Sequence, residues 1–172
     1  MDYLIKKNRV HYEDKAIDLN EYLQERVIYF ELIAQLKNIS LTFKSNVALS
    51  IYFNKTKLQR LIDNTLSNAI KYSNKESEVE ISLHTVEDGV ALSFKDYGQG
   101  IKDPQKILER YYREDSYTSG FGIGMCIVKS IIDEADIELN IESTLGEGSI
   151  FTYTFHTEMI TQMIDLSGEL HL

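Results

Sequence analysis

The sequence of 172 residues has a single cysteine, Cys126, a single proline, Pro104, and no tryptophan. One cysteine cannot form an internal disulfide, which is consistent with a reducing compartment. The sequence also has no signal peptide and no run of about 18 apolar residues. We therefore expect this segment to be soluble and cytoplasmic, even if a longer parent chain is anchored in the inner membrane.

Positive charge is also scarce. The chain has 18 Lys and Arg against 27 Asp and Glu, which gives a formal net charge of −9. This balance disfavours nucleic acids and anionic membrane surfaces as partners. A hydrophobic content of 43% over this length indicates one domain with a sizeable core.

Residues 61–72 contain no proline or glycine, and their apolar residues recur at helical spacing, namely Ile62, Leu66 and Ala69. At about 100° per residue, three polar residues share the opposite face, namely Asn64, Asn68 and Lys71. Amide oxygens and an ammonium group suit a hydrated metal ion and phosphate oxygens. A solvated helix face is the alternative for this helix taken alone. Asp63 points about 100° away from Asn64 and is discounted.

Three glycine boxes follow in order. The first comes at the end of an alternating strand pattern and contains Asp96, Gly98 and Gly100. An acceptor-only carboxylate beside two glycines can take a hydrogen bond from an exocyclic amine such as that of adenine. This box therefore predicts a place where a nucleotide base is recognised.

The second box consists of Gly120, Gly122 and Gly124, and the third of Gly146 and Gly148. The second precedes an apolar helical stripe, so its exposed N–H groups and the helix dipole favour a polyphosphate. Taken alone, the second box is equally typical of a loop without a ligand, and the third is typical of a hairpin turn.

In this order, the segments resemble the ATP-binding catalytic domain of sensor histidine kinases. That domain belongs to the Bergerat ATPase superfamily, which includes the DNA gyrase, Hsp90 and MutL ATPases. The resemblance covers roughly residues 15–156. It departs from the family pattern at Leu108 and Tyr111 in the aromatic box of the lid, and at Tyr97 in the first glycine box. The lid is expected over residues 102–119, which include the single proline.

The resemblance implies a role for each matching residue. Asn68 would bind Mg²⁺ with Asn64 beside it, and Asp96 would read the adenine amine of ATP. The phosphates and the rest of the nucleotide would be received by Lys71, Tyr72, Arg110 and Arg113, against an unfavourable overall charge. The pocket would be shaped by Gly98, Gly100, Ile101, Gly120, Gly122 and Gly124. Asn64, Lys71 and Arg113 are the candidate catalytic residues.

Asn64 helps to choose among the reactions of the superfamily. The hydrolysing branches place a glutamate four residues before the metal-binding asparagine, where it can activate water as a general base. A neutral amide has no useful basicity near neutral pH, so this position favours transfer to a better nucleophile such as a neutral imidazole. A serine kinase of the anti-sigma type and a catalytically silent nucleotide-binding module remain as alternatives.

No histidine in this chain has the sequence context of the family's acceptor helix. The four histidines are His11, His84, His156 and His171. We therefore expect the acceptor on a partner dimerisation domain, with the receiver domain of a response regulator downstream. Residues 1–14 are interpreted as the end of a dimerisation helix or as a simple extension.

The remaining patterns predict the scaffold. Asp18 and Glu21 resemble a capping box for a helix that runs to about Lys37. Strand patterns follow at residues 40–49, 78–83, 90–94, 137–141 and 151–155. The predicted fold class is α+β, a two-layer sandwich with a mostly antiparallel mixed sheet covered on one face by helices. Residues 157–172 are predicted to be a terminal helix or a disordered tail.

Overall fold

The structure is a computed structural model that describes residues 14–109 and 123–167. Its three helices are α1 (Leu19–Gln35), α2 (Lys55–Tyr72) and α3 (Gly124–Ala135). Its eight strands are β1 (Lys15–Asp18), β2 (Ser40–Ser45), β3 (Val47–Phe53), β4 (Glu78–Val86), β5 (Gly89–Asp96), β6 (Glu138–Thr144), β7 (Gly148–His156) and β8 (Ile160–Asp165). Residues 1–13 of the predicted N-terminal extension, Tyr111 and most of the predicted lid lie outside the described residues.

The central sheet has five strands in the order β2-β4-β5-β7-β6. Only the β2–β4 pair is parallel, and the other three pairs are antiparallel. Alternate residues of the central strands point into a core shared with the helices, for example Leu92 on β5 and Tyr153 on β7. The predicted α+β sandwich is confirmed, because a mostly antiparallel sheet carries its helices on one face.

Helix α1 begins as the capping pattern predicts. The carboxylate of Asp18 accepts a hydrogen bond of 2.9 Å from the backbone N–H of Glu21, which satisfies one of the free donors at the helix start. The apolar residues that recur at helical spacing along α1 are buried, namely Leu23, Val27, Phe30 and Ala34. Helix α1 ends at Gln35, two residues before the predicted boundary.

The strand predicted over residues 40–49 is wrong in one respect, because two strands of different sheets occupy this stretch. The chain bends at Asn46, whose N–H donates to Leu83 on β4. The side chain of Asn20 on α1 bonds the carbonyl of Val47 and the N–H of Leu49. These contacts direct β3 away from β2, and the hydrophobic pattern alone carries no information about such a change of sheet.

The prediction for residues 157–172 is also wrong over its described part. Ile160–Asp165 form strand β8, which pairs antiparallel with β3 and completes a second sheet in the order β1-β3-β8. Ile160, Met163 and Ile164 have helical spacing in the sequence, but the free edge of β3 offers a full row of backbone hydrogen-bond partners. Tertiary pairing overrides a short periodic pattern here.

The C-terminal end of α2 is anchored by the ammonium group of Lys37, which follows α1. Its Nζ donates to the carbonyl oxygens of Ile70 at 2.9 Å, Lys71 at 2.7 Å and Ser73 at 3.1 Å. Desolvation by burial lowers the pKa of this lysine, with a smaller contribution from the charge of Lys75. The three bonds satisfy carbonyl groups that have no partner within the helix.

Candidate functional site

Helix α2 presents one polar side toward a cavity. Its apolar side is buried, and Thr65 on that side shares a buried hydrogen bond of 2.6 Å with the hydroxyl of Tyr153 on β7. This bond fixes the rotation of α2 about its axis. Asn68 and Tyr72 consequently line the cavity from above the sheet.

The cavity contains about 560 Å³ of empty space, including its open mouth. It lies between the C-terminal half of α2, the end of β5 and the start of β7. Its lining consists of Asn68, Ala69, Tyr72, Asp96, Gln99, Gly100, Ile101, Ile107, Ser149 and Phe151. A mostly apolar cleft with a few convergent polar groups is typical of a small-molecule site.

The first glycine box brings the backbone close to α2. A Cβ atom on Gly98 would lie 2.0 Å from the carbonyl oxygen of Tyr72, so no larger residue fits without displacing backbone. Gly100 has a φ of +73°, a left-handed conformation that favours glycine. The N–H of Gln99, between the two glycines, donates to the carbonyl of Tyr72 at 3.4 Å. These contacts form the floor of the cavity.

Asp96 is the buried carboxyl of this site, with 6% of its surface exposed. Its Oδ1 accepts a hydrogen bond of 3.0 Å from the N–H of Gly98. Burial raises the pKa of Asp96 from its ordinary value of 3.8 to about 6, while hydrogen bonds from the N–H groups of Gly98 and Ser149 partly oppose this rise. A desolvated, partly satisfied carboxyl in an open cleft is a functional-site signal.

The raised pKa of Asp96 gives a testable pH dependence. The folded chain holds this proton more tightly than the unfolded chain, so raising the pH from 3.8 to about 6 lowers the free energy of unfolding through this group. The ionised carboxylate is a stronger acceptor for a ligand amine than the protonated carboxyl, which gains a donor and keeps less acceptor capacity. We therefore expect nucleotide affinity to fall as the pH drops through about 6.

Calorimetric titration with Mg-ATP at a series of pH values measures this dependence. Because the phosphates of ATP also titrate, the Asp96→Asn variant is the control: it retains the contribution of the phosphates and lacks that of the carboxyl. Parallel pH profiles for the two proteins would contradict the role of Asp96.

The polar side of α2 meets the start of α3 at Asn64. The amide Nδ2 of Asn64 donates to the carbonyl of Arg60 at 2.7 Å, and a Cβ atom on Gly124 would lie 2.7 Å from its Oδ1. Gly124, the first residue of α3, therefore lets the helix start approach this amide. Among the described residues, the N-cap residue Ile123 makes no side-chain hydrogen bond to the first N–H groups of α3.

The structure brings together some of the predicted residues and separates others. Asn68, Tyr72, Asp96, Gly100 and Ile101 line the cavity together. Gly98 lies beneath it, while Asn64 and Gly124 adjoin each other at the start of α3. Lys71 is half-buried, with its Nζ 5.2 Å from the centre of the Tyr72 ring. Arg110, Arg113, Gly120 and Gly122 lie outside the described residues.

The sequence did not predict several of the residues that line the cavity, including Gln99, Ile107, Ser149 and Phe151. Ser149 lies opposite Asp96 in the β5–β7 register, a placement that only the sheet pairing reveals. Asp63 forms a bidentate ion pair with Arg26 on α1, at 2.8 and 2.7 Å. This pair confirms that Asp63 points away from Asn64, toward α1.

Residues 53–159 match the family described as histidine kinase-, DNA gyrase B- and HSP90-like ATPases. The chain belongs to this ATPase family. Sensor histidine kinase GraS of Staphylococcus haemolyticus is 30% identical over 171 residues, which cover 95% of this chain and 49% of that protein. Phosphate regulon sensor protein PhoR of Haemophilus influenzae is 38% identical over 110 residues, covering 60% of this chain and 26% of that protein. The ATPase domain thus spans about half or less of these relatives.

Solved structures share the fold of this ATPase domain. A mycobacterial sensor histidine kinase, MprB, superposes with a TM-score of 0.73 at 21% identity, covering 83% of this chain and 97% of that one. Full-length ShkA in complex with AMPPNP has a TM-score of 0.73 at 21% identity and covers 84% of this chain and 32% of that one. Within the described residues, no helix of the ATPase domain is long and apolar enough to cross a membrane.

Proposed function

We propose that this ATPase domain binds Mg-ATP and transfers the γ-phosphoryl group to a histidine on another domain of a longer sensor kinase. The observation that carries the proposal is the cavity in which the buried carboxyl of Asp96 and the amide of Asn68 converge. A hydrogen-bond acceptor for the nucleotide base and an oxygen that can bind a metal ion lie within one cleft. They suit the two ends of a nucleoside triphosphate.

Adenine would be recognised at the deep end of the cavity. The carboxylate of Asp96 accepts from the exocyclic amine, while Phe151 and Ile101 provide apolar contact for the ring. The close approach of Gly98 to Tyr72 keeps this floor free of side chains. A guanine base presents a carbonyl oxygen where adenine has its amine, so two acceptors would face each other and the base would be rejected.

The residues present also fit magnesium. Among residues 14–109 and 123–167, no three His, Cys, Asp or Glu side chains cluster to form an all-protein cage. Magnesium is commonly held by one or two protein oxygens together with substrate phosphates and water, so the amide oxygen of Asn68 is sufficient. The bound ion would supply positive charge that neutralises the phosphate oxygens. Lys71, Arg110 and Arg113 are proposed to contribute the remaining positive charge.

Asn64 supports transfer to histidine over hydrolysis. Its amide donates to the Arg60 carbonyl and has no basic group that could take a proton from water. A neutral imidazole needs no such base, because its nitrogen lone pair forms the new bond to phosphorus. The bond from phosphorus to the bridging oxygen of ATP breaks, and ADP leaves with that electron pair. The domain's task is then positioning and charge neutralisation, with Asn64 orienting the reacting groups.

The acceptor histidine is proposed to lie in the rest of the parent protein. The ATPase domain spans only 49% of the GraS relative and 26% of the PhoR relative. His84 is exposed on β4, and His156 on β7 is half-buried with its Nε2 3.8 Å from a carboxylate oxygen of Glu138. Both are strand residues, consistent with a structural role. The partners would be a dimerisation domain and the receiver domain of a response regulator, on the cytoplasmic side of the membrane.

We expect the chain alone to bind Mg-ATP without phosphorylating itself, because none of its histidines has acceptor context. A fluorescent nucleotide measures binding, since the chain has no tryptophan. Incubation with radiolabelled ATP, with and without a dimerisation domain from a related kinase, measures transfer. Acid-labile phosphate is expected on the added domain only.

The product distinguishes the competing functions. Acid-stable label on a protein hydroxyl would indicate a serine kinase of the anti-sigma type. Nucleotide binding without transfer to any supplied acceptor would indicate a silent binding module. Stoichiometric acid-labile phosphate on the chain alone would contradict the proposal that the acceptor histidine lies on another domain.

A further inference from the structure

The outer face of α1 is covered by large apolar side chains that nothing in the described structure contacts from outside. These are Ile28, Tyr29, Leu32, Ile33 and Leu36, which are 65%, 60%, 74%, 46% and 87% exposed. Their spacing of one, four, five and eight residues places them side by side along a single stripe. Contiguous exposed apolar patches of this kind mark interaction sites, whereas scattered single residues do not.

The aromatic member of the stripe is held in place. The guanidinium of Arg26 lies 4.3 Å from the centre of the Tyr29 ring. The Phe30 ring packs edge-on against the Tyr29 ring, with 5.2 Å between the two ring centres. Arg26 itself is fixed by its two hydrogen bonds to Asp63 on α2. An immobilised tyrosine loses little conformational entropy when a partner covers it, which is a property of binding hot spots.

Acidic side chains lie at the start of this stripe and along one side of it. Glu21 and Glu25 continue its line toward the helix start, and Glu31 flanks it; all three are exposed. Lys15 and Lys55 share a cleft with Glu21 and Glu25. The basic side chains of α1 and its C-terminal turn are engaged elsewhere: Arg26 pairs with Asp63, and Lys37 bonds the end of α2. An occupant must therefore offer an apolar stripe with basic residues opposite these carboxylates.

We propose that this α1 face docks an amphipathic helix with a basic flank, supplied by a protein partner. A straight apolar stripe of about 12 Å, at the rise of an α-helix, is complemented by the apolar side of a second helix. A second copy of the chain fits poorly, because Arg26 is the single basic residue of α1 (Leu19–Gln35) and it already pairs with Asp63, so this face offers no basic partner for the carboxylates of another copy. None of the residues of this face lines the proposed nucleotide cavity, so the docking site lies apart from it.

A defined probe tests the proposal on the full chain. The probe is a fluorescein-labelled synthetic helix of about 18 residues with a leucine stripe flanked by lysines, and its matched twin has glutamate at every lysine. We expect the lysine peptide to bind and the glutamate peptide not to bind, as measured by fluorescence anisotropy. Leu32→Asp should weaken binding at least about tenfold, since it places a charge in the centre of the stripe.

The matched control is Leu145→Asp, which adds the same charge at a leucine that is 61% exposed in the β6–β7 turn. It should change affinity by less than about twofold. A Glu25→Gln, Glu31→Gln double variant should lose affinity for the lysine peptide and bind with a weaker dependence on salt. Nucleotide binding by every variant verifies that the fold is retained.

Four results would overturn the proposal. The first is that the lysine peptide does not bind. The second is that Leu32→Asp and Leu145→Asp weaken the binding of the peptide equally. The third is that sedimentation shows a dimer of the chain and that Leu32→Asp dissociates this dimer, which would assign the face to self-association. The fourth is that a variant with Lys6, Lys7 and Arg9 changed to glutamate binds the peptide at least about tenfold more tightly than the wild-type chain. This result would assign the face to residues 1–13 of the chain itself.

Discussion

Replacement of Asn68 by alanine is expected to abolish phosphoryl transfer while leaving part of the nucleotide affinity. Asn68 lines the cavity from α2, and its amide oxygen is the group we propose as the protein ligand of magnesium. Losing that ligand removes charge stabilisation where it develops in the transition state, which typically costs about 100- to 1000-fold in rate. The contacts to adenine that we propose at Asp96 are unaffected, so ATP should still bind.

The measurement is single-turnover transfer from radiolabelled ATP to a supplied dimerisation domain, with nucleotide affinity determined in parallel. Ser67→Ala is the matched control, because Ser67 is the exposed neighbour on the same helix and points away from the cavity. Wild-type transfer by Asn68→Ala in magnesium would mean that the metal ligand has been misassigned. The proposed kinase activity would then rest on the glycine boxes and the family relationship.

The second large effect is expected at Asp96. Asp96→Asn replaces an acceptor-only group by one that can turn an NH₂ donor toward the adenine amine. Loss of one charge-assisted hydrogen bond in a buried cleft costs on the order of 1.5–3 kcal/mol, or about tenfold to a hundredfold in affinity. The variant should not be destabilised by the loss of charge, because the ionised carboxyl is itself disfavoured by burial.

Asp88→Asn is the control for the change in net charge, since Asp88 is exposed at the opposite end of β5. Affinities for ATP and GTP are compared by calorimetry, with circular dichroism to verify the fold. Asp96→Asn should reduce the preference for ATP over GTP, while Asp88→Asn should leave it unchanged. An unaltered ATP affinity in a folded Asp96→Asn protein would place the base elsewhere.

The sequence predicted the parts of the fold that depend on local pattern. The stripe of Ile62, Leu66 and Ala69 correctly assigned the buried side of α2, because helical periodicity and core burial coincide there. Alternation correctly predicted the β4–β5 and β6–β7 hairpins. The glycine boxes could be located for a similar reason, since close backbone approach at Gly98 and a positive φ at Gly100 both restrict the residue type.

What the sequence missed depends on contacts between distant segments. The bend at Asn46 arises from bonds to Asn20 and Leu83, residues that lie far from it in the chain. Strand β8 forms because β3 offers an edge, which no local pattern near Ile160 can indicate. Ser149 joins the site only through the register of β7 against β5. The roles proposed for Asn64, Lys71 and the arginines stay predictions.

The ammonium of Lys37 has a mechanical consequence for the nucleotide cavity. It ties the residue that follows α1 to three carbonyls at the end of α2, on either side of Tyr72. The backbone of Tyr72 in turn receives the N–H of Gln99. The end of α1, the end of α2 and the floor of the cavity are thus tied together by hydrogen bonds. We therefore expect this wall of the cavity to keep its shape when a nucleotide binds.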